Sequence, residues 1–273
     1  MPVTRLHLIS GLPRSGSTLL AALLRQNPRF ATGVTSPVAM LCGNLLHSMS
    51  GATEFASFFT DERRRAIVRG VFDAYYADAP ADRAVFDTNR SWTARTALLA
   101  DIYPDARIIC CVREVAWIID SIERLIRRNP LQLSKIFNYG PGGSIYSRVG
   151  TLMDSEQGLV GLAWSSLREA WFGDGARRLI VVRYDSLARA PQQVLRQLYG
   201  ELGEVPFAHD VGCVSFDAPG YDAQLGTPGL HQIRPRVDYR ERDICLPPDL
   251  FMKYADVNFW SNPKLNTRNV LVI

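Results

Sequence analysis

What the chain lacks narrows the field first. No stretch approaches the ~20 consecutive apolar residues that a membrane-spanning helix needs, and no signal-peptide core precedes the first strand-like run. The five cysteines, Cys42, Cys110, Cys111, Cys213 and Cys245, are odd in number and contain no C-x-x-C spacing. That argues against a zinc site or a disulfide framework and for a reducing compartment. Dense basic clusters are missing as well: 31 Lys and Arg against 27 Asp and Glu leave a net charge of +4. Such a mild balance suits an anionic small ligand or an acidic substrate better than nucleic acid. Repeats and low-complexity tracts are absent. The expectation is a cytoplasmic protein without membrane, nucleic-acid or metal partners.

What is present describes an α/β fold. Of the 273 residues, 47% are hydrophobic, enough for a sizeable core in one domain spanning 1–273. Short apolar runs (Leu6 to Ile9, Ala84 to Asp87, Arg107 to Val112, Arg178 to Tyr184) alternate with helix-period stretches, such as the one from Glu114 to Arg128. This order predicts a mostly parallel sheet with helices on both faces, a three-layer P-loop-like arrangement whose site lies at the C-terminal ends of the strands. The segment 131–154 has weak periodicity and reads as a long functional loop. Residues 206–273, rich in Gly, Pro, Asp and Tyr, read as irregular chain covering the domain.

The first strand runs into Gly11-Leu12-Pro13-Arg14-Ser15-Gly16-Ser17-Thr18 and then into an apolar helical run. Strand, glycine loop and helix start together bring backbone N–H groups and the positive end of a helix dipole to one point, which suits a phosphate. The spacing Gly11-x4-Gly16 is that of a P-loop, yet Ser17-Thr18 stands where a Lys-Ser/Thr pair would be. The cation is instead Arg14, inside the loop. Two other strand ends deliver polar groups to the same sheet edge. One is Asp87 to Arg90. The other is Arg113, with Ser121 eight residues later on the following helix, a pairing able to clamp a second phosphate.

These residues resemble the sulfotransferases that use 3′-phosphoadenosine 5′-phosphosulfate (PAPS), nearest the protein-tyrosine sulfotransferase branch. Pro13-Arg14-Ser15-Gly16-Ser17-Thr18-Leu19 matches the family's 5′-phosphosulfate loop position by position, and Arg113 with Ser121 matches its 3′-phosphate element. Val182-Arg183-Tyr184-Asp185-Ser186-Leu187 is similar to a family strand end whose Tyr lies by the nucleotide. Gln232-Ile233-Arg234-Pro235 resembles a late basic element reaching back over it. The resemblance implies transfer of a sulfuryl group from PAPS to a hydroxyl on a peptide tyrosine, a sugar or a small molecule, releasing 3′-phosphoadenosine 5′-phosphate. It implies donor contacts from Pro13, Arg14, Ser15, Gly16, Ser17, Thr18, Arg113, Ser121, Tyr184 and Arg234.

The family's base and lysine have no counterpart. The stretch Thr32-Gly33-Val34-Thr35-Ser36-Pro37 holds no carboxylate or histidine, and Thr88 follows Asp87 where a lysine is usual. Arg90 is the candidate to replace that cation, and Asp87 or His231 is the candidate base, alongside Arg14 in stabilising charge. Two alternatives stay in play: a Mg²⁺-dependent P-loop-type kinase with Asp87 holding the metal, and a non-catalytic nucleotide-binding module. The oligomeric state is open between monomer and homodimer.

Overall fold

Apolar runs of five or six residues become the central strands of one sheet, and their side chains alternate between its two faces. A computed structural model describes residues 3, 5–51, 53–80, 82–140, 143–216 and 218–273. The chain runs β1 (Leu6–Gly11), α1 (Ser17–Leu24), β2 (Phe30–Thr32), α2 (Val38–Ser48), α3 (Asp61–Tyr75), β3 (Ala84–Thr88), α4 (Thr96–Ile102), β4 (Ile108–Val112) and α5 (Val115–Arg128). It continues through α6 (Ile145–Met153), α7 (Gly161–Phe172), β5 (Leu179–Arg183), α8 (Tyr184–Arg189), α9 (Pro191–Leu202), α10 (Pro219–Gln224), α11 (Pro248–Ala255) and β6 (Leu271–Val272). The strand order is β2-β3-β1-β4-β5-β6, and every pairing is parallel.

In β4, Ile108, Cys110 and Val112 face one core while Ile109 and Cys111 face the other, and all five are fully buried. Each aliphatic side chain so placed contributes about 1.5–3 kcal/mol, so a charge at Ile109 would unfold the centre of the sheet. Burial on both faces is what a parallel sheet covered by helices requires. The layers are unequal. Helices α1, α8 and α9 cover one face, and the larger core, with Trp92 and Trp171, lies on the other.

Strand β1 has β3 on one side and β4 on the other, so successive connections leave it in opposite directions. A crevice opens at such a switch point, at the strands' C-terminal ends. Gly11 closes β1 with φ +101°, and a Cβ there would collide with the Cys111 carbonyl of β4. Only glycine lets the chain leave the sheet at this point.

Two expectations are revised. Residues 131–154 hold a 3₁₀ turn (Lys135–Phe137) and α6 rather than one long loop, while Pro141 and Gly142 lie outside the described residues, as do Met1, Pro2 and Thr4 at the chain start. The chain after residue 247 is structural rather than a cover. Helix α11 brings Phe251 against Trp117 of α5 (5.1 Å between ring centres), Phe259 and Trp260 are buried, and β6 adds the sixth strand. Irregular covering chain is confined to roughly residues 206–247.

Candidate functional site

The loop after β1 is shaped by its own residues. Arg14 (φ 57°) and Gly16 (φ 96°) take left-handed backbone conformations, which turn the chain tightly between strand and helix. Ser15 is fully buried; its hydroxyl donates to the Leu12 carbonyl and lies 2.7 Å from that of Cys111, which ties the loop to β4. Its side chain therefore serves the loop's shape and leaves only its backbone for a ligand. Gly16 caps α1, and a Cβ on it would come within 3.0 Å of the Tyr184 ring. Tyr184 thus packs behind the loop, and it does so as the first residue of α8 rather than the last of β5. Its other neighbour is Arg113, whose guanidinium stacks 4.5 Å from the ring centre.

A cavity of about 950 Å³ opens over this loop. It is lined by Pro13, Arg14, Gly16, Ser17, Thr18, Arg113, Ser121, Tyr184 and Arg234, so nine of the ten expected donor-contact residues meet there. Arg14 Nε donates to Ser121 Oγ at 3.3 Å, joining the two motifs directly, and Arg14 Nη1 donates to the Leu230 carbonyl. Arg234 is half committed elsewhere, 3.4 Å from Asp238. The residue that sequence reading missed on this side is Arg242, which lines the same wall. It lay in a mixed-charge run, Arg240-Glu241-Arg242-Asp243, that looks like solvated surface.

Three guanidinium groups therefore crowd one wall. Burial, followed by the charges of Arg113 and Arg242, lowers the Arg14 pKa to about 10. Burial and then Arg242 lower that of Arg113. Neither shift discharges an arginine at neutral pH, and among the described residues none of the three makes an ion pair. Arg113 Nε and Arg242 Nη2 are buried with no hydrogen-bond partner. Unpartnered buried donors are costly, and a cluster of them in a cavity is a site built for an anion.

The candidate bases separate clearly. Asp87 ends β3 fully buried, outside the cavity lining, and its oxygens accept from Ser36 Oγ (2.5 Å), Trp92 Nε1 (2.6 Å) and Tyr76 Oη (2.7 Å). Burial raises its pKa against the pull of these three donors. With three donors on its two oxygens and no place on the cavity lining, its geometry is that of a core anchor for β3, α2 and α3. Arg90 begins the 3₁₀ turn after β3 and lines the cavity. His231 also lines it. Its Nδ1 lies 2.5 Å from Asp222 Oδ1, and its backbone N–H donates to Asp222 Oδ2 at 2.9 Å. An ionised Asp222 can only accept, so Nδ1 is the donor, and in the neutral imidazole the lone pair then falls on Nε2. Asp222 is 1% exposed. It was invisible in sequence because it sits on a six-residue helix, nine positions before His231, with no period to connect them. Among the described residues, no group of three His, Cys, Asp or Glu side chains is arranged to hold a metal, and no helix is long and apolar enough to cross a membrane.

Comparison with known proteins agrees with this fold. No curated protein sequence matches the chain. Among solved structures, the sulfotransferase domain of the Synechococcus PCC 7002 olefin synthase is similar in fold, with a TM-score of 0.51, 22% identity and 95% of each chain covered. A sulfotransferase from Alicyclobacillus acidocaldarius is similar with a TM-score of 0.52 and 18% identity, covering 82% of this chain and 90% of its own. The sequence profile of the Sulfotransferase family matches residues 8–208, a stretch that runs from within β1 past β5 and takes in the Gly11-to-Thr18 loop and the Arg113–Ser121 pair. The chain belongs to the sulfotransferase family.

Proposed function

We propose that this protein transfers a sulfuryl group from PAPS to a hydroxyl acceptor and releases 3′-phosphoadenosine 5′-phosphate. The observation that carries the reading is the trio of Arg14, Arg113 and Arg242, unpaired and partly orphaned beside a glycine loop. A donor with phosphate at both ends of its ribose would satisfy those buried N–H groups. Arg113 and Ser121 would take the 3′-phosphate, with Tyr184, Arg234 and Arg242 along the nucleotide. The loop N–H groups of Pro13-to-Thr18, the Ser17 and Thr18 hydroxyls and Arg14 would hold the phosphosulfate.

PAPS supplies an activated sulfuryl group on a phosphate leaving group; everything else falls to the chain's own residues. His231 Nε2 takes the proton of the acceptor hydroxyl as the new O–S bond forms and the S–O bond to phosphate breaks. Asp222 holds the ring in the necessary tautomer and stabilises the charge it acquires. Arg14 and the loop N–H groups stabilise the negative charge that grows on the departing phosphate oxygen. A sulfuryl group bears one negative charge, so this wall needs no metal to neutralise it. The absence of a P-loop lysine is consistent with that cargo, and Asp87, the metal ligand a kinase reading would need, lies outside the cavity lining and already accepts from Ser36, Tyr76 and Trp92.

Calorimetry with 3′-phosphoadenosine 5′-phosphate and with ATP, each with and without EDTA, tests the reading. The expected result is metal-independent binding of the 3′-phosphorylated nucleotide that is at least ~100-fold weaker in Arg113→Ala. Binding of ATP that EDTA abolishes, with none of the 3′-phosphorylated nucleotide, would overturn it.

A further inference from the structure

Two stretches of mostly exposed chain meet beside the cavity, and each buries a single hydroxyl. Between residues 131 and 140, Leu131 is 97% and Leu133 54% exposed, and Ser134 is the one buried residue, at 3%. Between residues 223 and 231 the one buried residue is Thr227, at 1%. Burying a hydroxyl costs free energy unless it is hydrogen-bonded, so the partners of these two decide what they are for.

The partners are each other. Ser134 Oγ lies 2.5 Å from Thr227 Oγ1, across 93 positions of sequence. The Thr227 proton is spent on the Leu225 carbonyl at 3.1 Å, so Ser134 is the donor between them, and its oxygen in turn accepts the Ile136 N–H at 3.1 Å. The Leu225 carbonyl also accepts the Lys135 N–H at 3.0 Å. Gly226 lets the two chains come this close. It has φ +61°, and a Cβ on it would lie 2.2 Å from the Leu133 carbonyl oxygen. Lys135 and Ile136 on one side of this seam, and Leu225 and Leu230 on the other, line the cavity.

The seam reaches His231 through the backbone. Thr227 stands between Asp222 and His231 in sequence. Its N–H donates to the Asp222 carbonyl at 3.0 Å, and its own carbonyl accepts the Leu230 N–H at 3.2 Å. The ends of that loop close on each other through the 2.5 Å contact of Asp222 Oδ1 with His231 Nδ1. Two further ties from the same segment, Tyr139 Oη to the Gln224 carbonyl (3.3 Å) and Asn129 Nδ2 to the Pro228 carbonyl (3.4 Å), are exposed or half-buried. Water replaces such bonds readily, whereas a buried hydroxyl left without its partner is costly.

We propose that Ser134 and Thr227 are positioning residues for His231: their buried hydroxyl pair fixes the Asp222–His231 loop against the 131–139 segment and so keeps the ring aligned at the cavity. The role given to His231 rests on the sulfotransferase reading.

The test follows the proton on His231 Nδ1, which its contact with Asp222 places far downfield in the proton NMR spectrum, where its loss in His231→Gln assigns it. Thr227→Val keeps the side chain's shape and removes its hydroxyl, and exchange of that proton with solvent is expected to quicken at least ~10-fold. Ser134→Ala, which leaves the bond from Thr227 to Leu225 in place, should act in the same direction, and Thr227→Ser should restore the wild-type rate. Combining Ser134→Ala with Thr227→Val should add less than ~3-fold to the larger single effect, as for two halves of one interaction. Affinity for 3′-phosphoadenosine 5′-phosphate should stay within ~3-fold throughout, because the Gly11-to-Thr18 loop is untouched. A wild-type exchange rate in both folded single variants, single effects that multiply, a matching loss of nucleotide affinity, or no such resonance in the wild type would each overturn the proposal. Failure of the wild type to bind the nucleotide would instead overturn the sulfotransferase reading and leave the positioning result standing.

Discussion

Two stretches of opposite construction meet over the cavity. The loop from Gly11 to Thr18 is continuous with β1 and α1, and its shape follows from neighbours in sequence: two glycines, a left-handed Arg14 and a buried Ser15. The strap from Ala218 to Leu246 has one short helix and is held by two buried carboxylates, one within it and one outside it. Asp222 fixes His231 by ring and backbone, and Asp120 of α5 accepts the N–H groups of Cys245 (2.6 Å) and Leu246 (3.3 Å) while pairing with Arg124 at 2.8 Å. The first kind of site is built by local chain geometry and the second by buried carboxylate pins, of which the Asp120 pin is long-range. A local site tolerates change elsewhere in the molecule. A pinned one is only as well placed as its anchor, which makes the two separable by mutation.

The largest effect should come where the two are joined. Arg14 donates to both Ser121 and the Leu230 carbonyl, so Arg14→Ala removes the loop's cation and one of the strap's ties together. Affinity for 3′-phosphoadenosine 5′-phosphate should fall at least ~100-fold by calorimetry, about 2.7 kcal/mol, and hydrogen exchange at residues 226–233 should quicken. Unchanged exchange there would mean that loop and strap are independent after all.

Asp222→Asn sharpens the comparison within the strap. The amide keeps the size of the carboxylate but presents a different donor and acceptor pattern to His231. We expect kcat to drop ~30-fold with nucleotide affinity changed less than ~3-fold, because the Gly11-to-Thr18 loop, the proposed donor cradle, is untouched. A parallel loss of nucleotide binding would show that the loop depends on the strap.

Asp120→Asn works on the far pin. Burial pushes the Asp120 carboxyl up, but Arg124 and the Cys245 N–H more than offset this and hold it below the usual carboxylate range. Replacing the charge leaves two strap N–H groups and Arg124 weakly held. Arg242, three residues before Cys245, loses its register. Nucleotide affinity should weaken ~5-fold and stability should fall by about 1–3 kcal/mol in a denaturant titration. An unchanged affinity would place the hold on Arg242 elsewhere than in the Asp120 anchor.

The same contrast explains what could be read in the sequence. The sheet, the loop, and the Arg113–Ser121 pair were legible because each depends on spacing within one strand–helix unit, where period and turn chemistry leave a trace. Asp222 and Arg242 left none, since their partners lie across irregular chain. Asp87 shows the same limit from the other side. Its place at a strand end suggests chemistry, but Tyr76, Trp92 and Ser36 come from three separate elements to claim it. Residues 248–273 were misread because a two-residue strand and an eight-residue helix carry too short a period to detect.

The smallest effect on the site should come from acid acting on β1 itself. His7, the second residue of that strand, is 8% exposed, and its Nδ1 accepts the Arg107 N–H at 3.4 Å, so the folded protein needs it neutral. Burial, then the charges of Arg107 and Arg5, lower its pKa to about 4 from an ordinary 6.5. Below pH 6.5 the unfolded chain binds a proton that the folded chain refuses until about pH 4. Its contribution to stability is therefore full above pH 6.5 and is lost progressively down to about pH 4, a total of roughly 3 kcal/mol. Denaturant titrations at pH 7 and pH 5 should differ by about 2 kcal/mol more in the wild type than in His7→Gln, while nucleotide affinity at pH 7 stays within ~2-fold. Equal acid sensitivity in the two proteins would move the source of acid lability from β1 to other titrating groups, such as the carboxylate pins of the strap.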